Sequence, residues 1–172
     1  MPLKRPGSED FSSDGKKTEL GFESLLKQLE SPLASERRLA AEELSKYPSA
    51  VDVLLGSLKN EKDISVREAI LNSLYLLKSR KVAEGLVYFL SSEDAQLRNE
   101  AIEVLKNMPD EVSFFIEDLL KSKDPDIRIF ALNIIESLKH PKVVDWLKEV
   151  MFQDEHINVC ATALNLAAEL GS

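Results

Sequence analysis

The 172-residue chain predicts an all-α fold, an α-α superhelix of about five stacked helical hairpins. Three observations carry that prediction. Leu, Ala, Glu and Lys dominate the composition, with only 6 Gly and 7 Pro, a mixture that favours helix. Apolar residues recur at spacings of three and four, as in Ile127, Ala131, Ile134, Ile135 and Leu138. Finally, one pattern returns about every 30 residues, and a helix pair repeated at a fixed period is the mark of a solenoid.

Taken in order, residues 1–19 come first: MPLKRPGSEDFSSDGKKTE, with only Leu3 and Phe11 as sizeable apolar groups. Such a stretch buries too little surface to offset its ordering entropy and reads as a flexible arm. Repeat units follow at about 20–47, 48–78, 79–108, 109–139 and 140–172. Each reads as a first helix, a short turn and a second helix. Proline precedes three of the first helices (Pro48, Pro109 and Pro141), because it ends one helix and is tolerated in the first turn of the next. The third unit uses Ser79-Arg80-Lys81 instead.

The second helices align on Arg37, Arg67, Arg98, Arg128 and Asn158, at intervals of 30, 31, 30 and 30. Three residues on stand Ala40, Ile70, Ala101, Ala131 and Ala161; seven on stand Leu44, Leu74, Leu105, Ile135 and Asn165. Four residues before the anchor come Asp63, Asp94, Asp124 and Asp154, with Leu33 in the first unit. An Asp at a helix entrance accepts backbone N–H bonds and complements the dipole. The pairs Asp63/Arg67, Asp94/Arg98 and Asp124/Arg128 therefore read as a structural ladder, each arginine pairing with the acid of its own or the next unit. A catalytic pair would occur once; this one recurs in register.

Net charge is −8, and residues 1–19 sum to zero, so the excess acid lies in the repeats. Acidic surfaces repel phosphate backbones, which argues against nucleic acid as the main partner. A single cysteine, Cys160, rules out an internal disulfide, and no apolar run reaches the ~20 residues of a membrane span. A cytoplasmic location follows as the expectation.

The arrangement Asp-x-x-aliphatic-Arg-x-x-Ala, in Asp63-Ile-Ser-Val-Arg67, Asp94-Ala-Gln-Leu-Arg98 and Asp124-Pro-Asp-Ile-Arg128, resembles the HEAT-like repeats of phycobilisome lyases. The resemblance implies a HEAT-like, armadillo-type solenoid whose second helices line a concave side. Repeats of this type mostly supply binding scaffolds. Two enzyme classes with related helix stacking fit less well. Deoxyhypusine hydroxylases depend on His-Glu dipeptides that hold iron, and this chain has none. Alkylpurine DNA glycosylases need a basic inner surface, whereas Glu42, Glu43, Glu68, Glu100, Glu103 and Glu136 stand here.

His140 and His156 are 16 residues apart, and no phosphate loop or nucleophile motif is present, so no catalytic, metal or cofactor set emerges. The expectation is a non-catalytic protein-binding scaffold that takes a partner with a basic rim on its concave face. Five residues after each anchor stand Glu42, Asn72, Glu103, Asn133 and Ala163; one residue after stand Arg38, Glu68, Asn99, Ile129 and Val159. Glu42, Asn72, Glu103 and Asn133 would supply polar contacts, and Tyr75, Ile129 and Phe130 would anchor. The alternative is a lyase-like accessory factor, or enzyme, handling a prosthetic group on a client protein.

Overall fold

The computed structural model describes residues 21–171, and the arm predicted for residues 1–19 lies outside them. Among the described residues there are eleven α-helices, two 3-10 turns and no strand. They form five hairpins. The first is α1 (Phe22–Leu29) with α2 (Ala34–Leu44), and the second is α3 (Val51–Asn60) with α4 (Ile64–Leu77). The third is α5 (Arg80–Tyr88) with α6 (Ala95–Lys106). In the fourth, α7 (Pro109–Val112) and α8 (Ile116–Leu120) precede α9 (Pro125–Ile135), and in the fifth α10 (Val143–Gln153) precedes α11 (Ile157–Leu170).

The second helices α2, α4, α6, α9 and α11 each pack on the next, so the chain is an α-solenoid. One apolar core runs through the stack from Leu25 to Leu166. Ala40, Ile70, Ala101 and Ala131 are wholly buried, as are Leu44, Leu74, Leu105 and Ile135. Each fully buried aliphatic side chain contributes about 1.5–3 kcal/mol, so stacking and not helix propensity supplies most of the stability. At the first joint the small Ala40 and Ala41 let α4 come close enough for the buried Ser73 Oγ to donate to the Ala41 carbonyl at 2.8 Å. Unit four departs from the single first helix expected. Its Ser113 hydroxyl bonds back to the Asp110 carbonyl at 2.8 Å, and Phe115 N–H turns to Val112 O at 2.8 Å, which splits the helix.

Each hairpin turn is built alike. A side-chain oxygen two residues before the cap accepts the cap's own N–H. Leu33 donates to Ser31 Oγ, Asp63 to Glu61 Oε1, Asp94 to Ser92 Oγ, Asp124 to Ser122 Oγ and His156 to Asp154 Oδ1. Asp63, Asp94 and Asp124 then cap their helices, accepting from Ser65 and Val66, from Gln96 and Leu97, and from Asp126 respectively.

This geometry corrects the register read for the fifth unit. Asp154 is the counterpart of Ser122 and not of Asp124, and His156 is the cap. Cys160, not Asn158, takes the arginine's place. Arg37, Arg98 and Arg128 each donate to the carbonyl six residues back, on Ser31, Ser92 and Ser122. The Cys160 thiol does the same to Asp154 O at 3.1 Å. The last interval is therefore 32 residues, with α10 running on to Gln153 before the turn begins.

The arginines brace each unit to the next. Arg37 makes two bonds to Glu61, at 2.8 and 2.9 Å, and Arg128 makes two to Asp154, at 2.7 and 3.0 Å. Arg67, only 5% exposed, reaches Asp94 at 2.8 Å and Glu100 at 2.9 Å. Arg98 differs: among the described residues no carboxylate pairs with it, and its guanidinium lies 6.0 Å from the centre of the Phe130 ring. Planar two-pronged pairing orients as well as attracts, which suits a joint that must set an angle.

The Arg37 bond, with the Asp63 and Lys62 N–H groups, holds the Glu61 carboxyl below the usual carboxylate range. Burial pushes Asp154 up, but the Arg128 bonds and the His156 N–H outweigh it and leave its pKa lowered. Asp94 is lowered chiefly by the Leu97 N–H, then by Arg67.

Arg67→Ala leaves Asp94 and Glu100, two carboxylates of the third unit, without their cation at the joint and is expected to cost about 2–4 kcal/mol in urea unfolding. Arg98→Ala removes one carbonyl bond and a ring contact and should cost about 1 kcal/mol or less. Equal losses from the two variants would contradict the bracing described. Carboxylates with lowered pKa values contribute stability that is present above their unfolded value of about 4 and lost as pH falls through the folded value. Urea midpoints should therefore hold between about pH 7 and 5 and fall from pH 4.5 to 3, with Arg128→Ala showing a shallower fall.

Candidate functional site

The side of the second helices turned away from the first helices carries most of the residues singled out from the sequence. Glu42, Asn72, Tyr75 and Glu103 are exposed there, whereas Ile129, Phe130 and Asn133 are half-buried, the first two against the core. Val159 and Ala163, placed on this face by the earlier register, are wholly buried. The corrected register puts Ala161 and Asn165 there instead, both exposed. The ladder five residues past the anchor is then Glu42, Asn72, Glu103, Asn133 and Asn165.

Neighbouring second helices do not meet evenly. Whereas α2 and α4 pack along much of their length, α4 and α6 diverge and are held by the Arg67 brace. Two adjoining hollows, of about 730 and 380 Å³, open along that joint. Leu71 and Val104 floor both. Glu68 and Asn99 line the larger, Asn72, Tyr75 and Asn107 the smaller, and Glu103 borders both. Asn72, Tyr75 and Glu103 are thus brought together in one groove; Glu42 lies one joint away on α2, and Ile129, Phe130 and Asn133 lie on α9 beyond α6.

The face is less acidic than its residue list. Arg38 pairs with Glu42 at 3.2 Å, and Lys106 stands 3.7 Å from Glu103 and 3.8 Å from Glu136. Pairs this exposed contribute little to stability, yet they soften the local field. Among the described residues Glu68 has no such partner, which makes it the strongest anionic point of the groove.

One larger hollow escaped the sequence reading. It measures about 760 Å³ and lies between α5 and α8, with Val87, Phe89, Leu119 and Ile127 within it and Lys59 and Tyr88 at its edge. Lys59 Nζ sits 5.7 Å from the Tyr88 ring centre. The split of α7 from α8 leaves the first-helix layer incompletely filled there. His140 stacks on Trp146 with ring centres 4.9 Å apart, and His156 caps α11 through its backbone while its buried Nδ1 has no hydrogen-bond partner among the described residues.

Residues 22–106, just under half of the chain, match the family model for HEAT repeats. A 74-residue stretch is 35% identical to the bilin biosynthesis protein PecE of Mastigocladus laminosus. That stretch is 42% of this chain and 28% of the relative, so the chain spans well under two thirds of the relative's length. Among solved structures, the complex of CpcE and CpcF of phycocyanin lyase from Nostoc sp. PCC7120 aligns with 96% of this chain and 70% of that one, at 21% identity and a TM-score of 0.50. A HEAT-like repeats protein from the archaeon Thermococcus onnurineus NA1 aligns over 84% and 68%, at 20% identity and a TM-score of 0.48.

Proposed function

For a chain that is a HEAT-like repeat α-solenoid, we propose a non-catalytic scaffold that holds another protein on the exposed side of its second helices. The groove between α4 and α6 carries this reading, because there an apolar floor, an exposed aromatic ring and acid and amide walls converge. Tyr75 would be the anchor, Asn72 and Asn107 would bond the partner's backbone or side chains, and Glu68 and Glu103 would meet a basic rim. Ile129, Phe130 and Asn133 would extend the contact beyond α6, and Glu42 would border it on α2. The carboxylates of this side favour a protein over a phosphate backbone.

The match to the bilin biosynthesis protein favours a second reading, an accessory factor or enzyme of the lyase type that handles a bilin or similar prosthetic group on a client protein. The two readings separate in the test tube. The immobilised chain should retain a defined protein from lysate, and Tyr75→Ala and Glu103→Lys should each reduce recovery at least about tenfold with unchanged circular dichroism. Equal recovery on all three baits would overturn the groove assignment. The second reading expects a shift in bilin absorbance on titration with the chain; an unchanged spectrum at saturating pigment removes it.

A further inference from the structure

An arginine stands at each joint of the stack, and three of the four use the same edge in the same way. Arg37 and Arg128 turn Nε and Nη2 onto the carboxylates of Glu61 and Asp154, and Arg67 turns them onto Glu100. Arg98 does not. Its Nη1 donates to the Ser92 carbonyl, and among the described residues its Nε and Nη2 have no acceptor. The side chain is half-buried, inside the body of the stack and covered by the fourth unit. A partly desolvated guanidinium with two open donors costs free energy until an anion meets it.

The fourth unit explains the gap. Glu61 and Asp154 both stand two residues before their helix cap, and the fourth unit has Ser122 there. Glu100 stands two residues past its anchor, where the fourth unit has Phe130, whose ring lies beside the Arg98 guanidinium instead. Asp124, the counterpart of Asp94, keeps an oxygen on the Asp126 N–H of its own helix, and no ion pair joins it to Arg98 among the described residues. Ser122 Oγ accepts the Asp124 N–H at 3.2 Å, and its own proton has no acceptor among the described residues. The joint thus lacks one carboxylate and keeps the donors for it. Ser92 and Ser122, the turns on either side, both line the hollow of about 760 Å³, so solutes reach this edge of the joint. Lys59 adds a cation at the rim of the hollow, but Glu84 and Asp118 line it too, so selection rests on the fork and not on the field of the hollow.

We propose that the joint between the third and fourth units is an oxyanion site. A carboxylate or phosphate group of a ligand takes the place that Glu61 and Asp154 fill at other joints, held by Arg98 Nε and Nη2 and by the Ser122 hydroxyl. Occupancy ties the third unit to the fourth as Glu61 ties the first to the second. A bare anion on such a fork dissociates at roughly 1–10 mM. An anion carried on an apolar body that also covers Phe89, Leu119 and Ile127 in the hollow binds more tightly. This goes beyond the scaffold reading and does not depend on it.

The arginine Nε–H signals of the whole chain can be followed by proton–nitrogen NMR as acetate or inorganic phosphate replaces chloride at constant ionic strength. The Arg98 signal, assigned by its loss in Arg98→Lys, is expected to move and saturate at roughly 1–10 mM, while those of Arg37, Arg67 and Arg128 hold still. Saturation by either probe supports the site, and the tighter of the two names the ligand's group. Ser122→Glu supplies the carboxylate from within, as Glu61 does. It should abolish the response and raise the urea midpoint, but not in an Arg98→Ala background. An Arg98 signal that ignores both anions, four arginines that move alike, or a Ser122→Glu gain that survives Arg98→Ala would each overturn the proposal. So would a response seen only in Asp124→Asn, which keeps the cap and would reveal Asp124 already on the fork.

Discussion

Everything in this stack depends on how one helical hairpin is held to the next, and the recurring device is an arginine with two jobs. Arg37 and Arg128 each tie a carbonyl of their own turn to a carboxylate of the following unit. The apolar core supplies the larger share of free energy, but it is non-directional and would tolerate a range of angles. The guanidinium fork does not. By fixing each turn and the next unit together, it sets the angle at which the second helices follow one another, and with it the shape of the open face.

The aspartates that stand beside the arginines in sequence mostly serve another purpose. Asp63, Asp94 and Asp124 close the first turn of their own helices, and only Asp94 also meets an arginine of the preceding unit. Where that pairing occurs, the brace is a three-membered polar cluster of Arg67, Asp94 and Glu100, and the helices on either side separate. The groove with Tyr75 and Glu103 at its edges opens along the joint that this cluster spans. At α2–α4 apolar contact fills the space between the second helices.

The repeat period, the helical pairs and the capping aspartates were legible from the sequence, because the same local chemistry is written several times over. The fifth unit was not. Asp154 and Asn158 fell where a strict 30-residue count required an acid and a polar anchor, and nothing local contradicted them. The second signal was the turn residue six before each anchor, Ser31, Glu61, Ser92 and Ser122, whose role depends on a hydrogen bond and not on hydropathy. Side-chain variety (Ser, Glu and Asp) hid it. Burial is the ordinary expectation for apolar residues such as Ile129 and Phe130 in stacked helices, and its extent depends on how α9 sits against α6 and α11. Register singles out Asn72 and Glu103, and aromatic character singles out Tyr75; the three share one groove because α4 and α6 splay apart.

A stack whose second helices pack closely at α2–α4 and stand apart at α4–α6 is unevenly filled along its length. Its least filled coil lies between the second and third units, where the buried Arg67 brace stands in for the broad apolar contact made at α2–α4. The groove is therefore where a change in curvature would disturb the least apolar packing.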